Sequence, residues 1–335
     1  MGKIKTKRNI KKRIIIIAAS VFTVLFILYW ILVYFLVSAA LVPSFMEKLD
    51  AFEDITVKSY DEMVWTDDIT TNHKSGWDDT KEWLNEVKRQ KLEMTSDDGY
   101  RFVAMRFDQE NYSDKWALVL HGYTGWKEEM YIYAYWYYQQ GYNVLVPDLR
   151  CSGESEGDFI GMGWTDHFDC MKWLDYIIAI DSKAQIVLHG QSMGGATALI
   201  MTGESNLPDN VVACVSDCAY TTGYEMFGDK CRSWFHLPPF PLVDSAVLML
   251  RMRGGYNLRL ASPLDAVVNS TTPTLFLHGE DDALIDVSMS YRLYEAESAE
   301  KDIMIIKGAG HAQAMDKDPE AFYGAIEEFL SKYVE

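Results

Sequence analysis

A chain of 335 residues, 49% of them hydrophobic, is long enough to bury one sizeable α/β domain with an appendage. Seven of its 31 basic residues fall among the first thirteen positions, which hold no acid, so the rest carries 24 basic against 49 acidic residues. A globular part of that sign repels a polyanion and argues against binding nucleic acid.

The basic residues 1–13 read as a cytoplasmic segment. Residues 14–42 contain no charged side chain and are apolar almost throughout, a stretch long enough to cross a bilayer once. Tyr29, Trp30 and Tyr34 lie in its outer half, where aromatics settle at an interface. The other reading is a secretory signal peptide cleaved near Ser38-Ala39-Ala40, which would release the protein, but the apolar core is far longer than such peptides carry. A membrane anchor is therefore expected, with the positive-inside rule keeping the N-terminus in the cytoplasm and everything after the span outside.

Residues 43–90 read as a spacer with a helix over 79–88, whose apolar face is Trp83, Leu84 and Val87. A hairpin over 91–95 and 101–107, turned at Asp97-Asp98-Gly99, opens the domain that fills 91–335. Strands are then expected near 116–120, 143–147, 185–189, 211–216, 274–278 and 302–306, alternating with helices. That rhythm specifies a mostly parallel, eight-stranded sheet with helices on both faces. The aromatic helix 130–140 reads as core packing, and residues 219–261, rich in aromatics and prolines, as a small helical cap. Five cysteines form no C-x-x-C pair and no metal-ligand spacing, so they read as buried small hydrophobes, with no metal and no cofactor implied.

Gly190-Gln191-Ser192-Met193-Gly194 follows one of these strands and opens a small-residue helix, the context in which G-x-S-x-G holds a serine on a sharp turn. His121-Gly122-Tyr123-Thr124-Gly125 follows another, where a glycine-flanked loop can aim backbone amides at that serine. Asp282 and His311 each follow a later strand. Ser192 is the expected nucleophile, His311 the base that takes its proton, and a carboxylate the group that orients the imidazole. Asp281, Asp282 and Asp286 crowd one loop and Asp217 ends strand six, so the acid is less settled, with Asp217 as runner-up. His121, His189 and His278 read as loop-shaping residues, and Asp148 as a turn cap beside Arg150.

With Pro147-Asp148-Leu149-Arg150, Ser216-Asp217-Cys218-Ala219-Tyr220, His278-Gly279-Glu280-Asp281-Asp282 and Gly308-Ala309-Gly310-His311, these motifs resemble α/β-hydrolases of the serine-aminopeptidase-like or Bem46-like kind, and membrane-anchored hydrolases of Gram-positive bacteria in particular. The likeness covers residue 91 to the C-terminus. It departs at Cys151 and Ser152, where such relatives usually carry glycine or alanine followed by histidine. The resemblance implies Asp282 as catalytic acid and the backbone amides of Tyr123 and Met193 as the oxyanion hole. The expected activity is cleavage of a carboxylic ester, with a small-molecule acyl substrate of lipid-like or amphiphilic kind. Tyr224, Trp234 and Phe235 are expected to line its pocket. Peptidase or thioesterase activity is the alternative within the class, and a catalytically silent, membrane-tethered binding module the alternative outside it.

Overall fold

The computed structural model describes residues 2–46 and 76–334; most of the expected spacer, residues 47–75, lies outside the described residues. Eight strands form one sheet: β1 (Arg89–Thr95), β2 (Arg101–Phe107), β3 (Lys115–Leu120), β4 (Asn143–Pro147), β5 (Gln185–Gln191), β6 (Val211–Asp217), β7 (Thr274–Gly279) and β8 (Lys301–Ile306), in the order β1-β2-β4-β3-β5-β6-β7-β8. The hairpin β1-β2 and the pair β2-β4 are antiparallel, and the remaining pairs are parallel.

The longer helices are α1 (Gly2–Leu41), α2 (Trp77–Glu86), α3 (Tyr131–Gln139), α4 (Trp164–Ile180), α5 (Met193–Thr202), α6 (Gly223–Phe235), α7 (Pro239–Arg253), α8 (Ser288–Ala296) and α9 (Pro319–Leu330). Central strands run apolar without alternation because both faces are covered. On β3, Trp116, Leu118 and Leu120 join one buried cluster, while Ala117 and Val119 join the other. The first cluster lies with α4, α5 and the end of α1; the second takes Trp83 and Leu84 of α2, Tyr131, Tyr133 and Tyr137 of α3, and Phe322 and Ile326 of α9. The spacer helix thus starts two residues earlier than its periodicity suggests. All five cysteines are free, and only Cys151 is not buried.

Sheet order fixes where a site can form. From β3 the chain crosses to β4 on one side and then returns to β5 on the other, so the C-terminal ends of β3 and β5 splay their loops apart at the switch point.

The first helix is more than an appendage. Residues Lys11–Leu41 are long and apolar enough to cross a membrane. The last third of α1 packs along α7 and into the domain, with Val33, Val37 and Leu41 buried in the same cluster as the sheet's first face. The Tyr29 hydroxyl hydrogen-bonds with the Ser245 hydroxyl at 2.7 Å and lies 3.2 Å from the Pro241 carbonyl, which can only accept. Further along, Arg253 donates to Ser38 Oγ at 2.8 Å and stacks on the Tyr34 ring at 4.1 Å.

Candidate active site

Strand β5 runs straight into α5 through Ser192, which is held at φ 55°, ψ −114°, a backbone state that bulky residues rarely adopt. Glycines make the turn closable. A Cβ on Gly190 would overlap the Gly194 carbonyl, and one on Gly194 would overlap the Leu120 carbonyl of β3, so strand and helix meet only where side chains are absent. The amide of Ser192 donates to the Asp217 carbonyl at 2.7 Å, which ties the elbow to β6.

The Ser192 hydroxyl lies 3.0 Å from His311 Nε2, and His311 Nδ1 lies 2.7 Å from Asp282 Oδ2. Since a carboxylate can only accept, Nδ1 carries the hydrogen and Nε2 is left free to take the serine's proton. Asp282 sits at the loop after β7, where Oδ1 accepts from the amides of Leu284 and Ile285, both at 2.8 Å. His278, the last side chain of β7, adds a second imidazole: its Nε2 is 3.1 Å from Asp282 Oδ2 and 2.9 Å from the Ile285 carbonyl. Both partners are acceptors, so Nε2 donates, while Nδ1 accepts from the Ser290 hydroxyl at 2.6 Å. Burial acts to raise the Asp282 pKa, yet hydrogen bonds from His278 and His311 prevail and hold it well below the usual carboxylate range.

Two backbone segments adjoin the serine. Gly122 lies against the serine, such that a Cβ there would stand 3.5 Å from Ser192 Cβ. Met193 opens α5, where the first amides have no partner within the helix and the helix dipole adds positive character. His121 shapes the loop: Nε2 accepts from the Leu149 amide at 2.9 Å and Nδ1 donates to the Gly122 carbonyl at 2.8 Å. Burial pushes its pKa down to about 4, so it stays neutral. The Tyr123 hydroxyl donates to the Ala40 carbonyl and the Ile160 amide to the Leu41 carbonyl, so the end of α1 abuts the loop beside the serine.

Asp148 does more than cap a turn. It accepts from Lys127 Nζ at 2.7 Å, from the Lys127 amide at 2.8 Å and from the Glu154 amide at 2.9 Å, a buried ion pair that fixes the loops after β3 and β4 together. Trp234 and Phe235 stand at the outer end of α6, largely exposed, and Tyr224 binds Asp244 at 3.1 Å under the Arg259 guanidinium. Among the described residues, no hydrogen bond or ring contact links these three to Ser192, Asp282 or His311. Cys218 Sγ comes within 4.8 Å of ligand atoms on Asp282 and His311, but burial keeps it a thiol and its neighbours are bonded to each other, a poor donor set for a cation.

Asp217 is buried, and burial pushes its pKa up to about 6 against the weaker opposing pull of His278, His311 and the Gln191 side chain. The ionised form is thus penalised in the folded chain. Raised from 3.8, this pKa costs nothing below about pH 4 and on the order of 2 to 3 kcal/mol above pH 6. Asp217→Asn is therefore expected to raise the thermal midpoint at pH 8, to gain little at pH 4, and to leave turnover largely intact. Calorimetry at the two pH values checks it, and a variant destabilised at pH 8 contradicts it.

Residues 117–325 match the alpha/beta hydrolase family. The chain belongs to that family. It is 31% identical over 214 residues to the Bacillus subtilis protein YqkD, covering 64% of this chain and 70% of that one. It is also 25% identical over 219 residues to Salmonella typhimurium YfhR, covering 64% and 70%. Among solved structures, an esterase of Pyrococcus furiosus is similar with a TM-score of 0.62 at 20% identity, covering 84% of this chain and 97% of that one. An acylaminoacyl peptidase of Pyrococcus horikoshii is similar at 0.58 and 19%, covering 76% and 43%. Likeness at this identity reflects shared fold.

Proposed function

We propose that this α/β-hydrolase is a membrane-anchored serine hydrolase that cleaves carboxylic esters of lipid-like or amphiphilic character. The observation that carries the reading is the hydrogen-bonded chain Ser192 Oγ, His311, Asp282 at a strained elbow. Ser192 Oγ attacks the acyl carbon as His311 Nε2 takes its proton; Asp282 stabilises the resulting imidazolium. The oxyanion that forms faces the amides of Tyr123 and Met193. His311 then returns the proton to the leaving alcohol, and water, activated by the same imidazole, releases the acid from the acyl-enzyme. His278 acts as a positioning residue that keeps Asp282 ionised and aimed.

Anchorage is supported by the packing of α1. A helix destined for removal has no reason to bury Val33, Val37 and Leu41 in the domain core or to bond Ser38 to Arg253. With basic residues at its start, α1 sets the N-terminus in the cytoplasm and the site outside. Counting about 20 residues of helix per hydrocarbon core from Ile14 puts the outer edge near Val33, so Leu41, eight residues on, stands roughly 12 Å above it. That height, beside the Tyr123 loop, favours substrates presented at the lipid surface.

Solved proteins of this fold include an esterase and an acylaminoacyl peptidase, so the leaving group is what an experiment must separate. The full chain in lipid vesicles, offered acyl esters, thioesters and aminoacyl amides, is expected to turn over medium-chain esters fastest. Amides cleaved faster than esters would make it a peptidase. Turnover of none would favour a binding module.

A further inference from the structure

Four large apolar side chains stand in the open at the turn between α6 and α7: Trp234 is 60% exposed, Phe235 58%, Leu237 49% and Phe240 72%. Isolated exposed apolar residues are ordinary on a protein surface, but four within seven residues form a patch that calls for a partner. Residues 233–243 contain no Asp, Glu, Lys or Arg.

The place of this turn along α1 identifies the partner. Tyr29 bonds the start of α7, at Pro241 and Ser245, while Ser38 bonds its end, at Arg253, so the two helices run in the same direction. Phe240 therefore lies at about the level of Tyr29. With the hydrocarbon edge near Val33, Tyr29 lies four residues, or roughly 6 Å, beneath it, which is the depth at which interfacial apolar elements settle. Charge follows the same profile. Arg253, at the level of Ser38, stands roughly 7 Å above that edge. Lys230 and the Asp229–Arg232 pair sit in the last turns of α6 before Trp234, where headgroups would meet them, with Lys230 turned back to the Ala283 carbonyl. Asp244, the remaining charge near the start of α7, faces the domain through Arg259 and Tyr224. The seam between α1 and α7 is itself an apolar groove of 470 Å³ lined by Phe26, Ile27, Trp30, Ile31, Tyr34 and Met249.

We propose that the turn bearing Trp234, Phe235, Leu237 and Phe240 is a second membrane contact, inserted in the outer leaflet beside the anchor and fixing the catalytic domain's orientation on the lipid surface. The proposal rests on the reading of α1 as a retained span. Because α1 is packed into the domain, span and domain tilt and rotate in the bilayer as one body; a second contact at the α6–α7 turn fixes that tilt and rotation and keeps the Tyr123 loop facing lipid.

The test uses the full chain in phosphatidylcholine–phosphatidylglycerol vesicles containing a phospholipid with a mid-chain diazirine, with photoadducts mapped by peptide. Adducts are expected in the span and in the peptide holding Trp234 to Phe240, and at background level in the peptide holding Tyr112, which is equally exposed to solvent. Phe240→Ser, a change at an exposed site, should reduce the adducts on this turn without lowering the thermal midpoint or the span adducts. Span adducts with none at the turn overturn the proposal and leave the anchor standing. Adducts in neither overturn both.

Discussion

Replacing Ser192 by alanine is expected to lower ester turnover by on the order of 10⁶-fold, and His311→Ala by nearly as much, because each removes one half of a single proton-transfer unit. The double variant should lose little beyond either single one. That non-additivity is the informative part. If the two losses multiplied, serine and histidine would be acting independently, and the 3.0 Å contact between them would have no role in turnover. The fold should persist in Ser192→Ala, since the elbow is imposed by Gly190 and Gly194 and alanine removes only a hydroxyl.

Asp282→Asn is expected to cost on the order of 10⁴-fold in turnover. The cause is a tautomer. An amide nitrogen opposite His311 Nδ1 offers a hydrogen where the carboxylate offered a lone pair, so Nδ1 becomes the acceptor and the ring's hydrogen moves to Nε2, which then has nothing with which to accept the serine's proton. The Leu284 and Ile285 amides, which donate to the other oxygen, hold the asparagine oxygen on their side and leave the amide nitrogen facing His311, and they do so against His278, whose Nε2 also donates to that shared position and loses its acceptor there. Asp281→Asn should be mild by comparison. Initial rates with a medium-chain ester, measured on all three variants, check the order; an Asp217→Asn variant more damaged than Asp282→Asn would move the acid to β6.

What the sequence makes legible is what local rules enforce. The serine's place is written in glycine spacing, because a strand-to-helix turn that brings Gly190 onto Gly194 and Gly194 onto Leu120 tolerates no Cβ. Strand positions follow from apolar runs because a doubly covered parallel sheet has no polar face to confuse the pattern. Asp282 is less distinct from Asp281 and Asp286, since three acids in one loop look alike until the backbone turns one of them onto the Leu284 and Ile285 amides.

Long-range contacts left little trace. His278 reads as one of several histidines before a glycine, and its grip on Asp282 depends on a turn that returns Ile285 and Ser290 to the strand end. Asp148 and Lys127 are separated by 21 residues, with nothing between them to announce a buried pair. The docking of α1 on α7 is hidden for a different reason. The segment is apolar on every side, so its composition cannot mark which face packs on protein. The aromatics Trp234 and Phe235 signal an apolar surface, while the direction in which α6 points them is set by its packing.

The central claim, that Ser192 is an activated nucleophile, is tested most directly by a fluorophosphonate probe on the full chain in vesicles, with the labelled peptide identified by mass spectrometry. One adduct per chain is expected, on Ser192, abolished in Ser192→Ala and strongly slowed in His311→Ala. Labelling that persists undiminished in Ser192→Ala, or an unlabelled parent chain, would contradict it.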